Sequence, residues 1–352
     1  MPHNIYFYSV DPGSVSIIIP IINSAPRNVK CIWVADGYAK SYLEKKDIYY
    51  INIESMLTII GSNDIVILSS QMNTCKTAEL ILKLNMLGIT SVFTFDHWTN
   101  YSKHFTLPNR KLVFPSNIFV MDEYAKSKLI ECGASNKIIK IVGHPGIESI
   151  EESAKEISDA RKVWLKKRIS HTDTEKVILL ALEPLSIDFR NEDLEYDEYD
   201  ITSQVVNSIN KINQKTHLVI RLHPRQDRDK FSRYLYKKNI DHKVTLCPKE
   251  INEAESILIS DVVIGITSVF LIKALFLNKP IISMNFNRRD LRENRNIIPY
   301  LEENRITDPA ILPDTLNKKL SHNEESKVSI PINGKENIWI ELKNLINLFP
   351  LR

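Results

Sequence analysis

The sequence is short of the features that most narrow a function. Its 352 residues include only four cysteines, Cys31, Cys75, Cys132 and Cys247. They lie far apart and form no CxxC pair, which argues against a zinc site or a disulfide framework and fits a reducing compartment. Lysine and arginine number 46 against 43 aspartates and glutamates, a net charge of +3. That is too small for bulk electrostatics to favour a nucleic-acid partner. Long apolar runs are missing: residues 17–22 are interrupted by Pro20 and are too short to cross a bilayer. No basic segment leads into a long apolar stretch, so no signal peptide is expected and a cytoplasmic location is. Internal repeats and low-complexity tracts are also lacking.

What remains is a globular composition, 43% hydrophobic and 25% charged. The length exceeds what one core usually covers, so two domains are expected. High isoleucine, asparagine and lysine usage fits an AT-rich bacterial genome.

Residues 260–283 organise the rest. An apolar strand at 262–264 meets a turn at Gly265, a helix starts at Thr267 and Ser268, and a second strand at 281–283 follows Pro280. Strand, turn, helix and strand in so few residues make a βαβ unit of a parallel sheet. Thr267 and Ser268 are good N-caps. Their hydroxyls and the free N–H groups of the first turn also suit an anion, so a capped helix and a phosphate seat both stay open. Upstream, residues 217–221 read as a buried strand ending in Arg221 and running into Leu222-His223-Pro224-Arg225. Open α/β sheets bind ligands at the carboxyl ends of their strands. Arg221, His223, Pro224, Thr267 and Ser268 are therefore candidates for a phosphate site.

The N-terminal half repeats the pattern. A strand at 4–10 is followed by Asp11-Pro12-Gly13-Ser14 and an apolar helix at 15–22. That loop is either a plain turn or a ligand contact through Gly13 and Ser14. Strands are predicted at 30–35, 48–53, 65–69 and 90–95, with a helix at 73–87 ended by Gly88. The last strand runs into Asp96-His97-Trp98-Thr99-Asn100-Tyr101. A carboxylate and an imidazole at that end suit catalysis; a loop cap and packing side chains are the alternative. A strand at 118–121, a helix at 123–132 and a strand at 138–142 lead to Gly143-His144-Pro145-Gly146. Residues 148–168 read as one long solvated helix and 170–175 as a linker. The second domain opens with a strand at 177–182 ending in Glu183. Acidic residues 192–200 read as a solvated loop into a helix at 201–212, not as a metal site. A helix at 229–238, a strand at 243–246 and a helix at 250–258 follow. Beyond residue 283, Arg288, Arg289, Arg292 and Arg295 interrupt the pattern, and 338–348 has helical spacing.

Two stretches carry a resemblance. Val120-Met121-Asp122-Glu123-Tyr124-Ala125-Lys126, with Gly133, Ile138 and Val142-Gly143-His144-Pro145-Gly146, is similar to the end of many GT-B N-terminal domains. Asp261-Val262-Val263-Ile264-Gly265-Ile266-Thr267-Ser268, with Lys279-Pro280-Ile281-Ile282-Ser283, is similar to their donor-binding half. The resemblance implies an α/β, GT-B fold of two Rossmann-like domains facing each other across a cleft. It implies an N-terminal domain at 1–147, a connector at 148–175, a C-terminal domain at 176–334 and a helix at 335–352 crossing back. More narrowly, the chain resembles bacterial sialyltransferases that use CMP-activated acidic sugars: His223-Pro224 and Thr267-Ser268 match two of their motifs. Asp96 sits where their acidic motif belongs, but His97 and Trp98 replace its second acid and glycine. CDP-glycerol-type polymer transferases share the His-Pro and Ser/Thr elements.

The expectation is a metal-independent, cofactor-free glycosyltransferase with a CMP-sugar donor and a glycan or lipid-linked glycan acceptor, at the inner face of the membrane. Asp96 would be the general base, with His97 as the fallback. His223, helped by Arg221, would meet the leaving phosphate. Glu183 would meet ribose or base, and Gly13, Ser14 and His144 would line the substrate site. The alternatives are a sugar-nucleotide 2-epimerase of the same fold, a CDP-glycerol-type polymer transferase and a non-catalytic binding subunit.

Overall fold

The computed structural model describes residues 4–71, 74–169, 175–188, 196–240, 244–286, 298–321 and 333–347. The chain divides into two compact units, residues 1–149 with 329–352, and residues 150–328.

Unit 1 is built on strands β1 (Asn4–Ser9), β2 (Lys30–Ala35), β3 (Ile65–Ser69), β4 (Thr90–Thr94), β5 (Asn117–Val120) and β6 (Ile139–Ile141). All pair in parallel, in the order β2-β1-β3-β4-β5-β6. Every residue of β3 and β4 is buried, as expected for strands covered by helices on both faces. Phe7 of β1 sits opposite Trp33 on one side and Ile67 on the other, which fixes the register of the sheet centre. The helices of this half are α1 (Pro12–Asn23), α2 (Gly37–Lys45), α3 (Ile53–Ile59), α4 (Thr74–Met86) and α5 (Glu123–Glu131), and α6 (Pro145–Lys155) begins in it and runs past the division at residue 149. Ile17, Ile18 and Ile21 put the apolar face of α1 fully into the core.

Unit 2 repeats the plan with β7 (Lys176–Ala181), β8 (Thr216–Arg221), β9 (Val244–Leu246), β10 (Val262–Gly265), β11 (Ile281–Met284) and β12 (Arg305–Ile306). The order is β12-β11-β10-β7-β8-β9, again all parallel. Its helices are α7 (Asp159–Ile169), α8 (Leu185–Asp188), α9 (Glu198–Ile209), α10 (Arg228–Lys237), α11 (Glu253–Leu258), α12 (Val269–Phe276) and α13 (Leu312–Ser321). The final helix, α14 (Gly334–Asn347), belongs to unit 1. Its Ile338 and Leu342 are fully buried in the unit 1 core, and the Trp339 indole donates to the Ile21 carbonyl at 3.0 Å.

Two expected elements are different. Residues 48–53 do not form a strand: Ile51 makes one isolated bridge to Val34, and α3 begins at Ile53. Asp47 has a positive φ of 55°, turning the chain as α2 ends, and Asn52 accepts the Ser55 N–H to start α3. This turn and this cap claim the segment before a ladder can grow. The single helix at 148–168 is two helices, because Ser158 accepts the Arg161 N–H and opens α7. Most of the predicted linker, and Arg288, Arg289, Arg292 and Arg295, lie outside the described residues. No described helix is long and apolar enough to cross a membrane.

Candidate functional site

Each unit gathers polar side chains at the carboxyl end of its own sheet. In unit 1 the strand β4 delivers Asp96 beside the loop between β1 and α1. The contact is so close that a Cβ on Gly13 would strike the Asp96 carboxylate and force it to move. Ser14 lies beneath and is buried. Its hydroxyl accepts the N–H groups of Val10 and Asp11, each at 3.1 Å, and donates to the Asp11 carbonyl at 2.7 Å. Ser14 is thus engaged in shaping the loop.

The Asp96 segment is braced from behind. His144 is buried, and its Nε2 lies 3.2 Å from the Asp96 carbonyl. The Ile147 N–H donates to His144 Nδ1, so the proton of the neutral ring is on Nε2 and is donated to Asp96 O. Trp98 stacks on this imidazole with ring centres 5.6 Å apart and an 11° tilt. The indole N–H donates to Asp122 Oδ2 at 2.6 Å, while Asp122 Oδ1 accepts the Ala125 N–H that starts α5. A Cβ on Gly334 would come within 3.2 Å of the His144 backbone, so the start of α14 closes this support. His97 is half-buried, with Nδ1 2.8 Å from the Thr99 hydroxyl. The structure therefore brings Gly13, Asp96 and His144 together, with Ser14 inside the adjoining turn.

In unit 2 the adjacent strands β10, β7 and β8 supply the candidates. Glu183, just past β7, accepts from Thr267 twice, at 2.6 Å from the backbone N–H and 2.9 Å from the hydroxyl. A carboxylate thus holds the Thr267 donors that the sequence offered to a phosphate. Ser268 caps α12 by accepting the Phe270 N–H at 3.1 Å. Arg221 donates through Nη1 to the Ile251 carbonyl at 3.0 Å, and its guanidinium lies 5.8 Å from the Phe270 ring centre. Pro224 is exposed in the turn after β8.

His223 is the best-defined chemical group of this edge. The Arg225 N–H donates to its Nδ1 at 3.2 Å, and Gln226 Oε1 accepts the His223 N–H at 2.7 Å. Burial, reinforced by the Arg225 charge, lowers its pKa to about 4. At neutral pH it is an uncharged imidazole with the proton on Nε2, a hydrogen-bond donor and not a cation.

Sequence reasoning missed the groups that support this edge. Lys273 is buried in α12 and pairs with Glu253 at 2.6 Å. Burial opposes ionisation of Glu253, but the charges of Lys273 and Arg221 outweigh it and hold the carboxyl below its usual range. Arg225 pairs with Asp188 at 2.6 Å, and buried Glu198 accepts from the Ser186 N–H and hydroxyl. The one signal in the sequence was Lys273 itself, a lone cation inside an otherwise apolar helix. Asp197 and Asp200, from the acidic stretch, form the capping box of α9.

No protein-family model matches the sequence, and a search of curated proteins finds no match. Solved structures do match across both units. The UDP-GlcNAc 2-epimerase from Neisseria meningitidis bound to UDP-GlcNAc aligns with a TM-score of 0.69 at 12% identity, covering 99% of this chain and 100% of that one. The S. aureus MnaA–UDP co-structure gives 0.68 at 16% identity, with coverage of 99% and 98%. The Methanocaldococcus jannaschii UDP-GlcNAc 2-epimerase with UDP-GlcNAc and UDP gives 0.66 at 14%, with coverage of 98% and 99%. The chain thus has the α/β, GT-B-like fold of these enzymes, with its two parallel six-stranded sheets.

These neighbours correct the expected activity. The reading as a sialyltransferase-like enzyme with a CMP-sugar donor does not hold: several of the similar structures are UDP-GlcNAc 2-epimerases, and they favour the alternative reading. The physical reason lies in what the motifs report. A His-Pro and a Ser/Thr pair at strand ends mark the ligand edge of this fold and do not encode the base of the nucleotide.

Proposed function

We propose that this chain is a sugar-nucleotide 2-epimerase acting on a UDP-sugar. The observation that carries the reading is the likeness, over 98–99% of the chain, to 2-epimerases solved with UDP or UDP-GlcNAc. The polar edge of unit 2 supports it. His223 offers Nε2–H to a phosphate oxygen. Among the described residues Arg221 is tied only through Nη1, which leaves its other guanidinium N–H groups for an anion.

The chemistry asks for two kinds of group. Inverting C2 of a pyranose means removing a proton from one face and returning one to the other. That hydrogen is not acidic, but it becomes removable if the nucleotide leaves C1 at the same time. The base takes the C2 proton, the electron pair forms a C1–C2 double bond, and the C1–O bond breaks with its electrons going to UDP. Re-addition of UDP, with a proton delivered to the opposite face of C2, gives the epimer. In this reading Asp96 takes the proton, and His223 and Arg221 stabilise the charge on departing UDP.

The test is incubation with UDP-GlcNAc alone in D2O, followed by proton NMR. Deuterium at C2 and appearance of the C2 epimer, without any acceptor, are expected. Absence of exchange with saturating UDP-GlcNAc, or UDP release only when a sugar acceptor is added, overturns the reading.

A further inference from the structure

Unit 1 contains a cavity of about 480 Å³ that none of the expected site residues lines. It lies beside the carboxyl end of the edge strand β2, between Asp36 and the irregular segment that the sequence predicts as a strand. That segment is joined to β2 at Ile51 alone, and the cavity opens alongside the join, lined by residues 48–52.

The wall is built, not accidental. Asp36 receives the Tyr8 hydroxyl on Oδ2 at 3.2 Å. Burial and the Asp36 charge push the Tyr8 phenol well above its ordinary range, so it stays protonated and keeps donating. Among the described residues no other side chain bonds the Asp36 carboxylate, so Oδ1 remains an acceptor. Gly37 has φ of 52°, and a Cβ there would approach the Val10 carbonyl to 3.3 Å, which fixes the backbone beneath Asp36. Across the cavity, Asn52 uses its oxygen to accept the Ser55 N–H at 2.7 Å, which leaves its NH2 group as a donor. Lys40 lines the same space, exposed and without a carboxylate partner among the described residues. Tyr49, 80% exposed, offers an aromatic face that is open among the described residues.

We propose that this cavity binds a neutral pyranose sugar. A sugar ring has an apolar C–H face that stacks on an aromatic side chain, and vicinal hydroxyls that donate to a carboxylate while accepting from an amide and an ammonium. The cavity presents those partners together: Tyr49 for the face, Asp36 as acceptor, and Asn52 and Lys40 as donors. One acid and one base make it electrically balanced, which favours a neutral sugar over a uronic acid. The site is separate from the proposed epimerisation, which uses a single sugar nucleotide and assigns nothing to these residues.

The experiment is a 15N-HSQC titration of the whole chain with methyl glycosides of glucose, galactose, mannose and N-acetylglucosamine, and with methyl glucuronide as the charged arm. Saturable shifts centred on Asp36, Lys40, Tyr49 and Asn52 are expected for at least one neutral glycoside. Tyr49→Ala should weaken that binding by about tenfold or more, the loss of one stacked ring. Because Tyr49 is exposed, its replacement should leave the melting temperature unchanged, so a folding defect is not confused with lost binding. Asp36→Asn should weaken binding as well. The proposal is overturned if no neutral glycoside shifts these amides, if Tyr49→Ala binds like the wild type, or if the glucuronide binds more tightly. Turnover of UDP-GlcNAc is measured separately, so failure of either idea is distinguishable from failure of the other.

Discussion

The two sheet edges solve one problem with different materials. In unit 1 the reactive candidate, Asp96, is held through its backbone by neutral and aromatic groups: the His144 ring, the Trp98 stack and the bond from Trp98 to Asp122. In unit 2 the candidates sit among charges: Glu183 on Thr267, Glu253 on Lys273, Asp188 on Arg225. Stacked rings and buried hydrogen bonds set a position and resist change. Ion pairs at a partly open edge can exchange partners when an anion arrives. If Asp96 is the base and the unit 2 edge holds the phosphates, the contrast sets a fixed proton acceptor against charges that can regroup around a guest.

The contrast can be broken most severely at Asp96. If it is the base, Asp96→Asn should lower epimerisation by about 10²–10⁴-fold while UDP affinity by calorimetry stays near wild type. Loss of UDP binding in that variant would instead give Asp96 a binding role. At the other edge, His223→Ala should cost about 10²–10³-fold in turnover and should weaken UDP binding as well. Unchanged UDP binding would reduce His223 to a strand-end residue.

A smaller effect concerns acid. His104 is buried against Phe93 and Phe95, just behind the Asp96 loop, and its Nδ1 has no hydrogen-bond partner. Burial, with help from Lys103, lowers its pKa to about 4. A histidine refused a proton by the fold stabilises the protein above its unfolded pKa. That stability is lost as pH falls from about 6.5 towards 4, where the unfolded chain gains the proton first. His104→Phe should therefore remove up to about 3 kcal/mol of acid sensitivity in that window, read from urea midpoints at several pH values. An unchanged slope would assign the sensitivity to other groups.

The smallest test addresses unit 2. Thr267→Val removes the hydroxyl bond to Glu183 and leaves the backbone bond. It should cost about 1–2 kcal/mol in thermal unfolding, and less when UDP is present if Glu183 turns to the nucleotide. Equal loss with and without UDP would make the pair purely structural.

Much of this was legible in the sequence, for physical reasons. Strands such as β3 and β7 are continuous apolar runs, and few local alternatives compete with a buried parallel strand. Gly13, Asp96, His223 and Thr267 were legible as edge residues because each follows such a run. The segment at 48–53 was not, since Asn52 and Asp47 act on the backbone whatever the alternation around them. The break at Ser158 was hidden by charges on both sides. The link between Glu183 and Thr267 joins residues 84 apart, and nothing local announces it. The identity of the nucleotide was not legible, because the motifs that suggested CMP describe a place in the fold.

The return of α14 has a consequence for the order in which the chain is made. Unit 2 is one unbroken stretch, so all of it can leave the ribosome and fold while unit 1 still lacks Ile338 and Leu342. Lys335 reaches Glu148 across 187 residues, and Trp339 reaches Ile21 across 318. Until those contacts form, the part of α1 that meets α14 stays uncovered, although its residues are among the first synthesised.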